Sequence, residues 1–233
     1  MLYRVSPKVG IAGDICEPLI ELWRRIKECP AGVNFGYTLR WKELQHRGPT
    51  YYYEVRERFN RTGDPHDLLF ITRTCVNGLI RFNQKGEMNN SFHLTRPGIH
   101  PDRLHPVIKE WSRRIQGTDF RSQSFEETLD ECGEGDFVYL DPPYAGTKGQ
   151  YYGKIDQSSL FAAVAGAIGR GAKVAMSYDG TAGGKDHRTE MPAGLFETSI
   201  PMAAGNSPFR ATQMKQDVKV VDTLWLSYDP PTQ

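Results

Sequence analysis

The chain has 233 residues, of which 39% are hydrophobic and 24% charged, and its formal net charge is +1. This composition is typical of a globular protein, and the charge excludes a polycation that binds nucleic acid through its overall field. The length is sufficient for one large domain or for a core with an insertion.

The first predicted elements are a short buried strand over Lys8–Ile15 and the helix that follows it. The strand ends at Asp14. In the next segment, EPLIELWRRIKE, apolar residues recur at helical spacing and Pro18 lies in the first turn. A strand, an acid and a helix make half of a βαβ unit.

A polar, helical insertion is predicted over residues 35–100. The segments YYYEVRERFN and DPHDLLFITRTCVNGLIRF are predicted helices, and NQKGEMNNSFHLTRPG is a predicted loop with turns at Gly86 and Pro97–Gly98. The insertion holds ten Lys or Arg and six Asp or Glu, a surplus of four positive charges. We expect residues 1–34 and 101–233 to form the core that carries it.

The second half of the chain alternates helices and strands. PDRLHPVIKEWSRRIQ is a predicted helix, and TDFRSQSFEETLDEC a strand, a loop and the start of a helix. GDFVYL is the strongest strand, and SSLFAAVAGAIGRGAKVAMSYDG predicts a helix and a strand. GLFETSIPM and DVKVVDTLWLSYDPP predict a closing antiparallel hairpin. This order predicts an α/β fold with a mixed sheet and helices on both faces.

Cysteine and histidine spacing indicates neither a disulfide framework nor a metal site. The chain has no CxxC pair and no HxxxH pair. We therefore expect reduced thiols, as in a cytoplasmic protein. The longest small-apolar run, LFAAVAGAIG, is too short to span a bilayer.

The motif DPPY ends the strongest strand and carries the clearest chemistry. Ligands of open α/β sheets bind at the carboxyl ends of strands, where Asp141 is predicted to lie. Pro142 and Pro143 lack N–H groups and leave their carbonyls as acceptors, and Tyr144 offers a flat face. An acceptor pair beside a stacking surface suits the exocyclic amino group of a planar heterocycle. The alternative is an Asx-Pro turn that only ends a strand.

The segments YYYEVRERFN, LLFITRTCVNGLIRFNQKGEMN and GDFVYLDPPY, in this order, resemble the Dam-like DNA adenine methyltransferases. The similarity runs from about Val9 to Tyr228. It implies a Rossmann-like, S-adenosylmethionine-dependent methyltransferase sheet with a helical DNA-binding insertion, double-stranded DNA as substrate, and a cytoplasmic enzyme of a bacterium or phage. DPPY alone is shared with enzymes that methylate cytosine N4 or RNA, which leaves those substrates as alternatives.

The resemblance also assigns roles at the site of methyl transfer. Asp14 would bind the ribose hydroxyls of the methyl donor, S-adenosylmethionine, although an acid there can instead cap a helix. Ser124 and Phe125 would pack on the adenine of the methyl donor, and Asp141 would also lie near it. The residues that would hold the flipped adenine are Asp141, Pro142, Pro143 and Tyr144.

Contacts with DNA are implied within the insertion. Arg81 corresponds to a base-contacting arginine of the family, and Asn77 to a residue that wedges into the base stack. Arg73 and Lys85 could bind phosphates or guanine edges. The alternative is a solvated helical face. The implied DNA-binding residues are Arg73, Asn77, Arg81, Asn83 and Lys85.

One motif of the family, a first strand with its glycine loop, has no counterpart in residues 1–233. The resemblance implies a central first strand, which ends in an F-x-G-x-G loop that binds the methyl donor. We expect a companion polypeptide or a rearranged segment to supply both, which would make a split methyltransferase. The alternatives are a degenerate copy or a catalytically silent, DNA-binding partner subunit.

Overall fold

The computed structural model describes residues 1–78, 81–95, 97–143, 155–182, 185–186, 191–206 and 219–230. These residues form two compact units, one built on Met1–Ser124 and the other on the described residues from Phe125 onward. Both units combine helices with strands, which confirms the predicted mixed α/β class. None of the helices in these ranges is both apolar and long enough to cross a membrane.

The first unit is mainly helical around a two-stranded sheet. Its elements are α1 (Leu2–Val5), β1 (Gly10–Asp14), α2 (Glu17–Glu28), α3 (Pro30–Arg47), α4 (Pro49–Thr62), α5 (Pro65–Thr74), a 3-10 turn (Val76–Gly78), α6 (Pro101–Arg114) and β2 (Thr118–Ser122).

One hydrophobic cluster joins most elements of the first unit. It contains Ile20 of α2 and Ile108 of α6 together with Tyr37, Tyr52 and Leu68 of the predicted insertion. Whether residues 35–100 act as a separate DNA-recognition domain stays a prediction.

A buried carboxylate joins three of these helices. Asp67 of α5 is fully buried, and its two oxygens accept hydrogen bonds from Arg58 of α4 at 2.6 and 2.7 Å. The Arg40 guanidinium of α3 approaches the same carboxylate at 2.5 Å. Since a buried charge is tolerated only when it is paired, the two arginines hold α5 against α3 and α4.

The helix predicted over DPHDLLFITRTCVNGLIRF is wrong after Thr74. Helix α5 ends there, and Cys75 is extended, with ψ of 165°. The N–H of Val76 donates to the carbonyl of Ser91 at 3.0 Å, and that of His93 to the carbonyl of Thr74 at 3.0 Å. Pairing with the later segment therefore replaces the hydrogen bonds that would extend the helix.

The sheet of the first unit has two parallel strands. β1 pairs with β2 from Gly10↔Thr118 to Asp14↔Ser122. The strand predicted to end at Asp14 is confirmed. Within the described ranges, β1 has no second strand neighbour.

The second unit is built on a larger sheet. Its elements are α7 (Phe125–Asp130), β3 (Phe137–Leu140), α8 (Gln157–Gly169), β4 (Lys173–Ala182), β5 (Lys185–Asp186), β6 (Thr198–Asn206) and β7 (Lys219–Leu226). The strand order is β3-β4-β7-β6, and β5 pairs with β4. β3 and β4 are parallel, whereas β7 runs antiparallel to β4 and β6, so the predicted closing hairpin is confirmed.

The core of the second unit lies between this sheet and α7 and α8. The fully buried members of the cluster are Leu129, Val164, Ala167, Val174 and Met176. In the same sheet, β3 buries one of its two faces and exposes the other. Val138 is buried, whereas Phe137 is 51% exposed and Tyr139 is 39% exposed. Among the described residues, β3 pairs only with β4.

Candidate active site and nucleic-acid interface

Asp141 lies where the sequence predicts it, directly after a buried strand. The register of β3 with β4 ends at the pair Leu140↔Met176, and Asp141 is the next residue. Its side chain is exposed, while Pro142 and Pro143 are half-buried. A carboxylate and two prolines, which lack backbone N–H donors, therefore lie at the carboxyl end of β3. Tyr144, the predicted stacking surface, falls outside the described residues.

A neighbouring strand orients the Asp141 carboxylate. The hydroxyl of Ser177 on β4 donates to Asp141 Oδ1 at 2.7 Å. Since a carboxylate offers about four lone-pair positions, this bond leaves acceptor capacity for an incoming amino group. Ser177 does not stand out in the sequence, where it is one more polar residue after an apolar run.

Asp14 ends β1 in the first unit and combines two features. It is exposed, and its Oδ1 accepts a hydrogen bond at 2.7 Å from the N–H of Cys16, the residue before α2. Both a ribose contact and a contact that caps the start of α2 are compatible with this geometry.

Burial raises the pKa of the Cys16 thiol to about 11, and the Asp14 charge adds to the rise, so the thiol stays protonated.

Ser124 and Phe125 stand at the start of α7. Both are half-buried, and Phe125 packs against the hydrophobic cluster of the second unit. An aromatic edge of this kind can cover a flat ring, but the predicted contact with the methyl donor stays a prediction.

The candidate nucleic-acid interface is the recognition loop, which we define as the described residues from Cys75 to His93. Isolated bridges Cys75↔Phe92 and Phe82↔Met88 give it the form of an irregular hairpin. Asn77 lies in the 3-10 turn at its start. Arg81 and Lys85 are exposed along it, and Arg73 is exposed on the last turn of α5.

The tip of the recognition loop is closed by Asn83. Its Oδ1 accepts from the N–H groups of Lys85 at 2.9 Å and Glu87 at 3.0 Å, and its Nδ2 donates to the Glu87 carboxylate at 2.9 Å. Gly86 completes the turn with φ of 77°, a conformation that favours glycine. The structure thus gives Asn83 an internal role in presenting Lys85, and its predicted DNA contact stays a prediction.

Side chains of helix α4 hold the recognition loop through hydrogen bonds to its backbone. The side chain of Asn60 donates to the carbonyl of Met88 at 3.0 Å and accepts from its N–H at 2.8 Å. Tyr52 and Arg56 donate to the carbonyl of Asn90 at 3.0 and 2.9 Å. Burial raises the pKa of the Tyr52 hydroxyl, which therefore remains a donor at neutral pH.

Comparison with known proteins finds one matching family and several relatives. The family described as D12 class N6 adenine-specific DNA methyltransferase matches residues 2–190. The retron Ec67 DNA adenine methylase of Escherichia coli is 30% identical over 149 residues, which cover 61% of this chain and 50% of that protein.

Two further relatives carry the same description. The DNA adenine methylase of Serratia marcescens is 33% identical over 140 residues, 58% of this chain and 50% of that protein. The DNA adenine methylase of Escherichia coli strain K12 is 31% identical over 98 residues, 40% of this chain and 34% of that protein. The aligned part of the chain spans about half the length of these relatives, or less.

Proposed function

Because the chain belongs to the D12 class of N6 adenine-specific DNA methyltransferases, we propose that it methylates the N6 amino group of adenine in double-stranded DNA, with S-adenosylmethionine as methyl donor. The observation that carries this proposal is the exposed Asp141 carboxylate at the carboxyl end of β3, oriented by a hydrogen bond from Ser177.

Asp141 and the Pro142 carbonyl act as a pair of acceptors for the two N–H bonds of the adenine amino group. Holding both hydrogens draws the nitrogen lone pair out of conjugation with the ring and makes it a nucleophile. The methyl donor supplies an electrophilic carbon on a sulfonium. Methyl transfer would form a new N–C bond as the C–S bond of the methyl donor breaks. The electron pair of that bond would stay on the sulfur of the departing thioether, and the extra proton on the nitrogen would pass to solvent. Tyr144 is proposed to stack on the base.

Access to adenine inside a duplex requires that the nucleotide be flipped out of the stack. We assign this task to the recognition loop, where Asn77 would enter the stack and Arg81 would contact a base edge. Lys85 and Arg73, both exposed, would neutralise phosphates. The exposure of Arg73, Arg81 and Lys85 and the hydrogen bonds from α4 support this assignment, because a loop that is already held in place loses less entropy on binding.

The methyl donor is assigned to Asp14, Ser124 and Phe125, with Asp14 on the ribose hydroxyls. A glycine loop for the amino-acid end of the methyl donor is proposed to come from outside residues 1–233. In this proposal a companion polypeptide adds a strand to the edge of β1 that lacks a strand partner among the described residues, and brings the loop with it, so that the active enzyme is split.

The decisive experiment identifies the methylated nucleoside. The protein, alone and with a candidate companion, is incubated with duplex DNA and S-adenosylmethionine, and the DNA is digested and analysed by mass spectrometry. We expect N6-methyldeoxyadenosine. N4-methyldeoxycytidine, or methylation of RNA alone, would replace the proposed substrate. DNA binding without calorimetric binding of S-adenosylmethionine in either preparation would identify a silent partner subunit instead.

A further inference from the structure

The parallel register of β3 and β4 sets two polar side chains next to each other at the carboxyl end of the sheet. Leu140 pairs with Met176, so the following residues, Asp141 and Ser177, lie side by side. We propose that Ser177 is a positioning residue that fixes the Asp141 carboxylate for methyl transfer. This inference rests on the proposed function and extends it to a residue on a second strand.

The hydrogen-bond distances settle which way the protons point. A serine hydroxyl has one proton, and a carboxylate only accepts. The Ser177 Oγ lies 2.7 Å from Asp141 Oδ1 but 3.5 Å from the Leu140 carbonyl, so the proton goes to Asp141. The Tyr139 hydroxyl, 3.1 Å from Ser177 Oγ, must then be the donor in its own bond. Two hydroxyls in series thus point toward Oδ1.

The direction of these hydrogen bonds gives the two carboxylate oxygens of Asp141 different roles. Oδ1 is engaged by Ser177, and the bond holds the plane of the carboxylate. Oδ2 is then the oxygen best placed to accept an N–H from the adenine amino group. Because Asp141 is exposed at the end of its strand, the hydrogen bond from Ser177 restrains rotation of its side chain.

Ser177 is itself held in place by the residue that follows it. The register of β4 with β7 shifts between Ser177 and Gly180, which marks a β-bulge of the kind found beside active sites. Tyr178 at this bulge is 1% exposed. Its hydroxyl accepts from Gln157 Nε2 at 2.7 Å, and its carbonyl accepts from Trp225 Nε1 at 3.3 Å. The bulge therefore presents the hydroxyl from a fixed backbone.

The test compares Ser177→Ala with Ser177→Thr in the preparation that methylates DNA. Ser199→Ala is the matched control, since Ser199 is an exposed serine of β6 in the same sheet. For Ser177→Ala we expect a fall in kcat of about 10- to 100-fold, with little change in KM for DNA. Ser177→Thr keeps the hydroxyl and should restore most of the rate. Ser199→Ala should match the wild type.

Thermal melting and DNA binding separate positioning from folding. For Ser177→Ala we expect a Tm and a Kd for DNA close to those of the wild type. Wild-type kcat in Ser177→Ala, or an equal loss in Ser177→Thr, would overturn the inference. A fall in Tm that accounts for the loss of activity would also overturn it. A wild-type protein that methylates no adenine would instead refute the proposed function, which distinguishes the two failures.

Discussion

Asp141 is the residue on which the proposed chemistry depends most directly. Asp141→Ala removes the carboxylate that accepts an amino N–H, and we expect kcat to fall about 10³-fold or more while DNA affinity stays within about two-fold. Steady-state methylation and fluorescence anisotropy measure the two quantities. Asp136→Ala, at the amino end of the same strand, is the matched control and should retain activity. Full activity in Asp141→Ala would exclude its role as acceptor.

Arg81 and Lys85 are predicted to differ in what they recognise, although both are exposed on the recognition loop. Arg81→Ala should cost about 1–3 kcal/mol at one base pair of the target and relax the choice of base there. Lys85→Ala should weaken binding to all sequences alike. It should also reduce, by about 1, the steepness with which the logarithm of the binding constant falls with the logarithm of the salt concentration.

Binding to a panel of duplexes at several salt concentrations tests this difference. Arg61→Ala, which removes an exposed charge at the end of α4, is the control for general electrostatics. A loss in Arg81→Ala that is uniform over the panel would make Arg81 a phosphate contact.

Single residues of the site differ in how readily a sequence reveals them. Asp14 and Asp141 can be predicted because each stands directly after a run of strand residues, and both lie at strand ends in the structure. Ser177 contacts Asp141 across 36 positions of the chain, and only the pairing of β3 with β4 brings the two together. A sequence pattern records local periodicity and does not record such pairing.

The difference between local pattern and tertiary packing also explains which helices the sequence predicts. α2, α4 and α6 are predictable because their apolar residues recur at helical spacing. α3 escapes prediction because Gly32 and Gly36 lower its helix propensity. The structure gives a reason for Gly36: a Cβ there would lie 2.1 Å from His66 Nδ1. Close packing of α3 on α5 therefore requires a residue that local propensity disfavours.

The recognition loop depends on helix α4 for its shape, and Asn60 tests that dependence. Asn60→Ala removes both hydrogen bonds to the backbone of Met88, which is buried. We expect faster hydrogen exchange at the Met88 and Glu87 amides, and weaker DNA binding, because the turn around Asn83 loses its support. Amides of α2 should exchange as in the wild type.

Asn60→Asp is the matched comparison. It keeps the acceptor for the Met88 N–H and loses the donor to the Met88 carbonyl, so exchange at Met88 should be intermediate. Unchanged exchange in Asn60→Ala would show that Tyr52 and Arg56 hold the loop without it.

On the scale of the whole molecule, the two edges of the sheet in the first unit are not equivalent. Gly10 donates to the carbonyl of Gly117 at 3.0 Å, so by alternation the carbonyls of Thr118 and Phe120 face away from β1. Lys27 Nζ and Arg24 Nε of α2 donate to these two carbonyls, both at 2.8 Å. The outer edge of β2 is therefore covered by side chains.

The edge of β1 that faces away from β2 is different. By the same alternation, the N–H and C=O groups of Ile11 and Gly13 point to it. No second strand pairs with β1 in the ranges that the structure describes, and Ile11 is 39% exposed. An edge that has no strand partner among the described residues, while the opposite edge is covered, favours addition of a strand at β1.

Ile11→Pro tests strand addition at this edge. Proline removes only a donor that faces away from β2, and edge strands tolerate it, so the isolated chain should fold with a nearly unchanged Tm. The companion strand would lose a ladder hydrogen bond and its fit. We therefore expect companion binding and calorimetric binding of S-adenosylmethionine to be lost. Ile11→Ala, which keeps the N–H, should retain both within about ten-fold. Equal binding by the two variants would mean that no strand pairs with this edge of β1.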